Sequence, residues 1–161
     1  MKLLKYCLSM LLLAIVSVFR SMAGREEAYN SADLHPLPTG HETVVLEAAV
    51  TVNYTLLTKG TASGSAIICT AATVPLGPTP DQGAIAGKVS VALLGAAPGT
   101  VSMVASKAIA ENTIVNATAA GKVTDAVVSN AYKVGRTAPG SVAAADGDVI
   151  SVIPCFPIIN P

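Results

Sequence analysis

From residue 42 onward the apolar positions fall in short alternating runs, and glycine, proline or Ser/Thr clusters interrupt each run before it reaches helical length. HETVVLEAAVTV and NYTLLTKG read as strands, a Gly/Ser turn follows over residues 60–65, and SAIICTAATV reads as another strand. LGPTPDQGAIAG then reads as a loop, because Pro78, Pro80, Gly83 and Gly87 fit neither a helix nor a central strand. The second half keeps the texture. KVSVALLG, VSMVAS, IVNATA, DAVVSNAYKVG and VISVIPC are strand-like; AAPGT, KAIAENT, AGKVT and RTAPGSVAAADGD are turns and loops, and SVAAAD has room for one helical turn. Strands spaced about 8–15 residues apart predict an all-β fold, a small β-barrel or sandwich of short strands with long loops. Gly95, Gly99, Gly121, Gly135 and Gly147 are the expected structural turns, with Gly135 and Gly147 opening onto strands buried on both faces.

A faint internal repeat sets NYTLLTKGTASGSAIICTAATVPLG beside ENTIVNATAAGKVTDAVVSNAYKVG, and GKVSVALL beside GDVISVIP. Two similar β units packed together would account for it, and so would a composition biased to Ala, Thr and Val.

The first 40 residues have a different pattern. Two lysines precede a run over residues 6–19 that is apolar except for Ser9 and Ser17, and Ser21-Met22-Ala23 before Gly24 has the form of a cleavage site. Residues 1–23 are therefore either a secretory signal or an upstream extension of a chain that starts at Met22, and if retained they form a short apolar helix outside the main fold. Residues 24–40 carry charges and prolines without a hydrophobic period, which predicts an extended polar arm or a plain unstructured terminus. Residues 41–161 are the β-rich domain.

Composition narrows the function. The chain of 161 residues is 52% hydrophobic, mostly Ala and Val, with no Trp, so its core is thin and made of small side chains. Ten basic residues balance 10 acidic ones, and this even, sparse charge gives no footprint for nucleic acid or an anionic membrane. A surface so poor in charge favours self-association. Cys7, Cys69 and Cys155 form no metal-ligand or redox spacing; Cys69 and Cys155 are either buried thiols or a disulfide pair. His35 and His41 lie in or beside the arm, away from any partner set, and read as solvated polar residues. Asp146 and Asp148 lack the further oxygen ligands of a calcium loop and read as a turn entering a strand. The glycine stretches lack the lysine of a phosphate loop, and the sequons at Asn53 and Asn116 matter only in a secreted chain. The expectation is a non-enzyme without cofactor, catalytic residue or metal site.

Residues 87–155 resemble the small capsid decoration or cement proteins of tailed phages and prophages. The resemblance rests on Leu93-Leu94-Gly95, Ala108-Ile109, Ala120-Gly121-Lys122-Val123, Val134-Gly135 and Ala145-Asp146-Gly147-Asp148, in that order. It implies a non-catalytic β domain on the exterior of the virion capsid, with the major capsid protein as partner, a homo-oligomer (a trimer by analogy) and no nucleic-acid or small-molecule ligand. The alternative is a secreted or surface-displayed adhesin or pilus-like module that binds by strand addition.

Overall fold

The computed structural model describes residues 40–161; the apolar segment at 1–23 and the arm, apart from Gly40, lie outside the described residues. Ten strands follow: β1 (His41–Leu46), β2 (Thr55–Lys59), β3 (Ser65–Ile68), β4 (Pro75–Thr79), β5 (Lys88–Ala92), β6 (Val101–Val104), β7 (Ile114–Ala117), β8 (Val123–Thr124), β9 (Tyr132–Thr137) and β10 (Val149–Ile159). The all-β expectation holds. Among the described residues helical structure is confined to a 3₁₀ turn at Ala119–Gly121. The helical turn expected in SVAAAD is absent, because Ala143 pairs with Ile109 in an isolated bridge.

The first five strands form one sheet in the order β4-β2-β3-β1-β5, and the last five form another in the order β6-β10-β9-β7-β8. Each sheet curls until its edges meet. In the first, the Leu94 amide just past β5 donates to the Leu76 carbonyl of β4 at 2.8 Å; in the second, Ala105 just past β6 bridges Val123 of β8 in parallel. Read around the ring, the two barrels have the same strand order. β1 lies parallel to β3 as Ala105 does to Val123, and every other pairing is antiparallel.

The internal repeat is therefore structural. The Leu46 amide donates to Gly87 and the Ala86 amide to Leu46 at 2.9 and 2.8 Å, while Ala105, Asp148 and Gly147 make the same two bonds at 2.8 and 2.9 Å. The bridge Val50↔Gly83 matches Ile109↔Ala143, and the bulge after Leu57 matches that after Val115. Left-handed backbone recurs at matching places, Tyr54 with Asn112 and Ala86 with Gly147. These bonds also correct the last part of the sequence alignment. Gly87 corresponds to Asp148 rather than Gly147, because the chain leading into β10 is one residue longer.

The two cores repeat as well. Val44, Leu46, Val50, Leu57, Ala66, Val89 and Val91 fill the first barrel, and their counterparts Met103, Ala105, Ile109, Val115, Val123, Ile150 and Val152 fill the second. Small β-branched residues suit so narrow a ring, since each strand contributes only one or two inward positions.

The strands differ from the sequence reading in several places. β8 (Val123–Thr124) lies in AGKVT, expected as a turn, because Val123 enters the second core, and in DAVVSNAYKVG only Tyr132 onward is strand, residues 125–131 forming bends and turns. Leu76-Gly77-Pro78-Thr79, expected as loop, belong with Pro75 to strand β4, paired with β2. The Thr79 carbonyl accepts the Tyr54 amide, so alternation turns the nitrogen of Pro78 away from β2 and its missing donor leaves that ladder intact. β10 runs four residues beyond Cys155, and Gly135 lies within β9 rather than at a turn. A Cβ at Gly135 would fall against the Ile153 carbonyl and 2.6 Å from Val152 Cγ1, so this glycine admits a close strand crossing. Its counterpart Gly77 meets the Ala92 carbonyl in the same way.

Candidate functional site

The seam between the barrels uses residues that point out of the first barrel. Along β2, Leu57 faces its own core, whereas its neighbour Leu56, fully buried, joins the second barrel's cluster with Cys69, Ala92 and Leu94. The Gly121 amide donates to the Cys69 carbonyl at 3.0 Å, and a Cβ on Gly121 would stand 2.7 Å from the Leu56 carbonyl oxygen. Gly121 has a φ of +68°, so glycine here meets both a left-handed backbone and a close approach. Gly95, at φ +80°, lies in the connection between the barrels under the Phe156 ring, 2.6 Å from where its Cβ would be. Gly99 and Gly147, at φ +76° and +92°, stand at bends with open space around them. Of the five glycines singled out from sequence, two thus hold the seam, two stand at open bends and Gly135 spaces strands.

Beside the seam is a cleft of ≈ 220 Å³ lined by His41, Tyr54, Pro78, Pro80, Ala92, Pro98 and Val101, among others. His41 is half-buried there as the first residue of β1, not solvated as its neighbourhood in the sequence suggested. His35 lies outside the described residues.

The side chains with chemical potential are engaged in holding loops. Glu47 Oε1 accepts the amides of Thr61 and Ala62 at 2.7 and 2.9 Å together with the hydroxyls of Thr61 and Ser65. Those bonds, chiefly from the Ala62 amide and the Ser65 hydroxyl, lower its pKa from the ordinary 4.5 to about 2. Asp148 Oδ2 accepts the Ala144 and Ala145 amides at 2.7 and 2.9 Å, and Asp146 pairs with Lys122 at 2.6 Å. Both carboxylates therefore shape the turn into β10.

Cys69 and Cys155 are free thiols, which overturns the disulfide alternative. Cys69 is buried and its thiol donates to the Thr70 carbonyl at 3.2 Å; Cys155 is partly exposed. Burial raises both thiols, opposed by the Thr73 hydroxyl at Cys69 and by the Lys133 charge at Cys155. Cys7 lies outside the described residues. Asn116 of the second sequon is buried, donating to the Ala126 carbonyl at 3.1 Å and accepting from Asn160 at 2.9 Å, so the folded chain offers no glycan site there.

What the sequence did not mark is an apolar outer face on the second barrel. Ile114, Arg136 and Ile153 lie abreast across β7, β9 and β10, with Ile114 48% and Ile153 40% exposed. Farther along β10, Phe156, Ile158 and Ile159 are more than half exposed. β6 pairs with β10 only as far as Val152, and no strand among the described residues continues that side. The Ser151 carbonyl and the Asn160 amide both bond on the β9 side, so alternation turns Pro154 and Pro157 toward the open edge. An edge lacking those two donors resists strand addition. This face can bury side chains, but it is a poor template for another strand.

No family model matches the chain, and no curated protein matches it in sequence. Among solved structures it is similar to the head fiber gp8.5 N base of bacteriophage phi29, with a TM-score of 0.57 and 12% identity, over 76% of this chain and 99% of that one. At that identity the likeness is one of fold.

Proposed function

We propose that the chain is a non-catalytic structural protein of a tailed-phage head, seated on the outside of the icosahedral shell as a decoration or cement protein. The observation that carries this reading is the likeness to the phi29 head fiber base, which extends over 99% of that chain. The resemblance of residues 87–155 to capsid decoration proteins supports it independently. The engagement of Glu47, Asp146 and Asp148 in loop structure is in keeping with a non-catalytic role.

In this reading the partner is the major capsid protein, the chain acts as a homo-oligomer (a trimer by analogy), and neither nucleic acid nor a small molecule is bound. Many weak contacts repeated over a shell add stability without one strong site. Virions of the encoding phage should carry the chain, intact heads should lose it to added protease, and heads lacking it should rupture at lower temperature. Recovery of the chain only from the culture fluid, absent from virions and trimmed of residues 1–23, would favour the secreted module instead.

A further inference from the structure

We propose that the outer face of the second barrel, centred on Ile114, Arg136 and Ile153, docks the first barrel of a second copy of this chain, head to tail, repeating the packing that joins the two barrels within one chain. The inference deepens the homo-oligomer of the proposed function and does not depend on the shell.

The argument comes from the duplication. The shared hydrogen bonds and bulges make Leu56 the counterpart of Ile114, Pro78 of Arg136, Ala92 of Ile153 and Leu94 of Cys155. In the first barrel Leu56, Ala92 and Leu94 are covered, at 0%, 6% and 5% exposure, and what covers them is another barrel of the same topology. In the second barrel Ile114 and Ile153 carry large apolar side chains at the same positions, yet are 48% and 40% exposed, with no second barrel over them among the described residues. An apolar face retained at the place where its counterpart is buried under a barrel fits a barrel.

Charge then selects the orientation. Within the chain, Pro78 of the first barrel and Val101 of the second line one cleft at the seam. Pro78 corresponds to Arg136, and β-register makes Val101 the counterpart of Glu42, since Val101 faces Val152 as Glu42 faces Val91. Both Arg136 and Glu42 are exposed. Repetition of the seam between copies therefore sets an arginine of one chain against a glutamate of the next, where the internal seam sets proline against valine. Gly121, which closes the internal seam, corresponds to Gly64, whose Cβ position is open space ready for the same close approach. Pro154 and Pro157 keep the contact one of side-chain packing rather than strand pairing. Head-to-tail contacts close into a ring when the rotation permits and otherwise grow into a filament.

Sedimentation velocity of the full chain tests the proposal. The wild type should associate with concentration, and Ile153→Arg should be monomeric with an unchanged circular dichroism spectrum and, at dilutions where the wild type is itself monomeric, an unchanged melting curve, since its side chain lies outside the core. Glu42→Arg and Arg136→Glu should each weaken association about tenfold or more, and the double reversal should restore most of it. Mixing Ile153→Arg with Glu42→Arg chains should yield dimers as the main species, because each Ile153→Arg chain offers an intact Glu42 face but no Ile153 face. A wild type that stays monomeric overturns the proposal, as does normal association of Ile153→Arg. Association abolished by Ile153→Arg but untouched by Glu42→Arg overturns the head-to-tail geometry in favour of a face-to-face contact. Shell binding measured on the same variants separates failure of this interface from failure of the head-protein reading.

Discussion

Gly64 and Gly121 form a matched pair that measures the seam. Both stand in the loop between the second and third strands of a barrel, both have left-handed backbone, at φ +71° and +68°, and only Gly121 has another barrel against it. Within one chain Gly64→Ala adds a methyl to open space, so in dilute, monomeric protein its cost is the left-handed strain alone, roughly 1–2 kcal/mol. Gly121→Ala carries that same strain and also drives a Cβ to 2.7 Å from the Leu56 carbonyl oxygen and 3.1 Å from its nitrogen. Those neighbours are backbone in a paired strand and cannot rotate away, so the barrels must separate slightly or the strand must move, an overpacking cost of about 1–3 kcal/mol more. The effect of alanine on the unfolded chain is the same at both sites and cancels in the difference. Urea unfolding followed by circular dichroism gives both values. The expected result is a Gly121→Ala loss exceeding that of Gly64→Ala by at least about 1 kcal/mol. Equal losses would refute the idea that the seam is packed as tightly as a core.

Other measurements probe other parts of the fold. Glu47 has a folded pKa near 2, below its ordinary 4.5, so its contribution is complete above pH 4.5 and is lost as pH falls through 2; the acid limb of wild-type stability in that window should be shallower in Glu47→Gln, and coincident curves would show that the loop does not depend on the charge. Thiol labelling of the native chain followed by peptide mapping should modify Cys155 and spare Cys69 until the protein is unfolded, whereas early labelling of Cys69 would mean that the seam opens readily. Gly135→Ala should cost about 1–3 kcal/mol in the same urea assay, because the methyl meets the Ile153 carbonyl; a neutral effect would refute the close strand crossing there.

The fold class was legible because alternation is strong in KVSVALL, VSMVAS and VISVI, and β5, β6 and the first half of β10 fall where those runs lie. Prolines misled at β4 and at the end of β10. Their breaking effect depends on which side of the strand the missing amide faces, and sequence alone does not carry that orientation. Gly135 looked like a turn because close strand crossings and turns both require glycine. The repeat was visible but one residue out of register at β3 and β8, where Ala66 matches Val123 rather than Thr124, and again at β10, since Gly87 and Gly147 invite alignment while the bonded counterpart of Gly87 is Asp148. The outer face of the second barrel left no mark, because Ile114 and Ile153 sit in runs that read as core strands. In the fold they are 48% and 40% exposed, whereas their counterparts Leu56 and Ala92 are buried.

The central claim, that this is a protein of the phage head exterior, is tested most directly by quantitative co-sedimentation of the purified chain with heads of the encoding phage that lack it. Saturable binding at a fixed number of copies per head, abolished when heads already carrying the chain are used, is the predicted result. Failure to sediment with vacant heads at any concentration, with the chain folded and monodisperse in the supernatant, would contradict it.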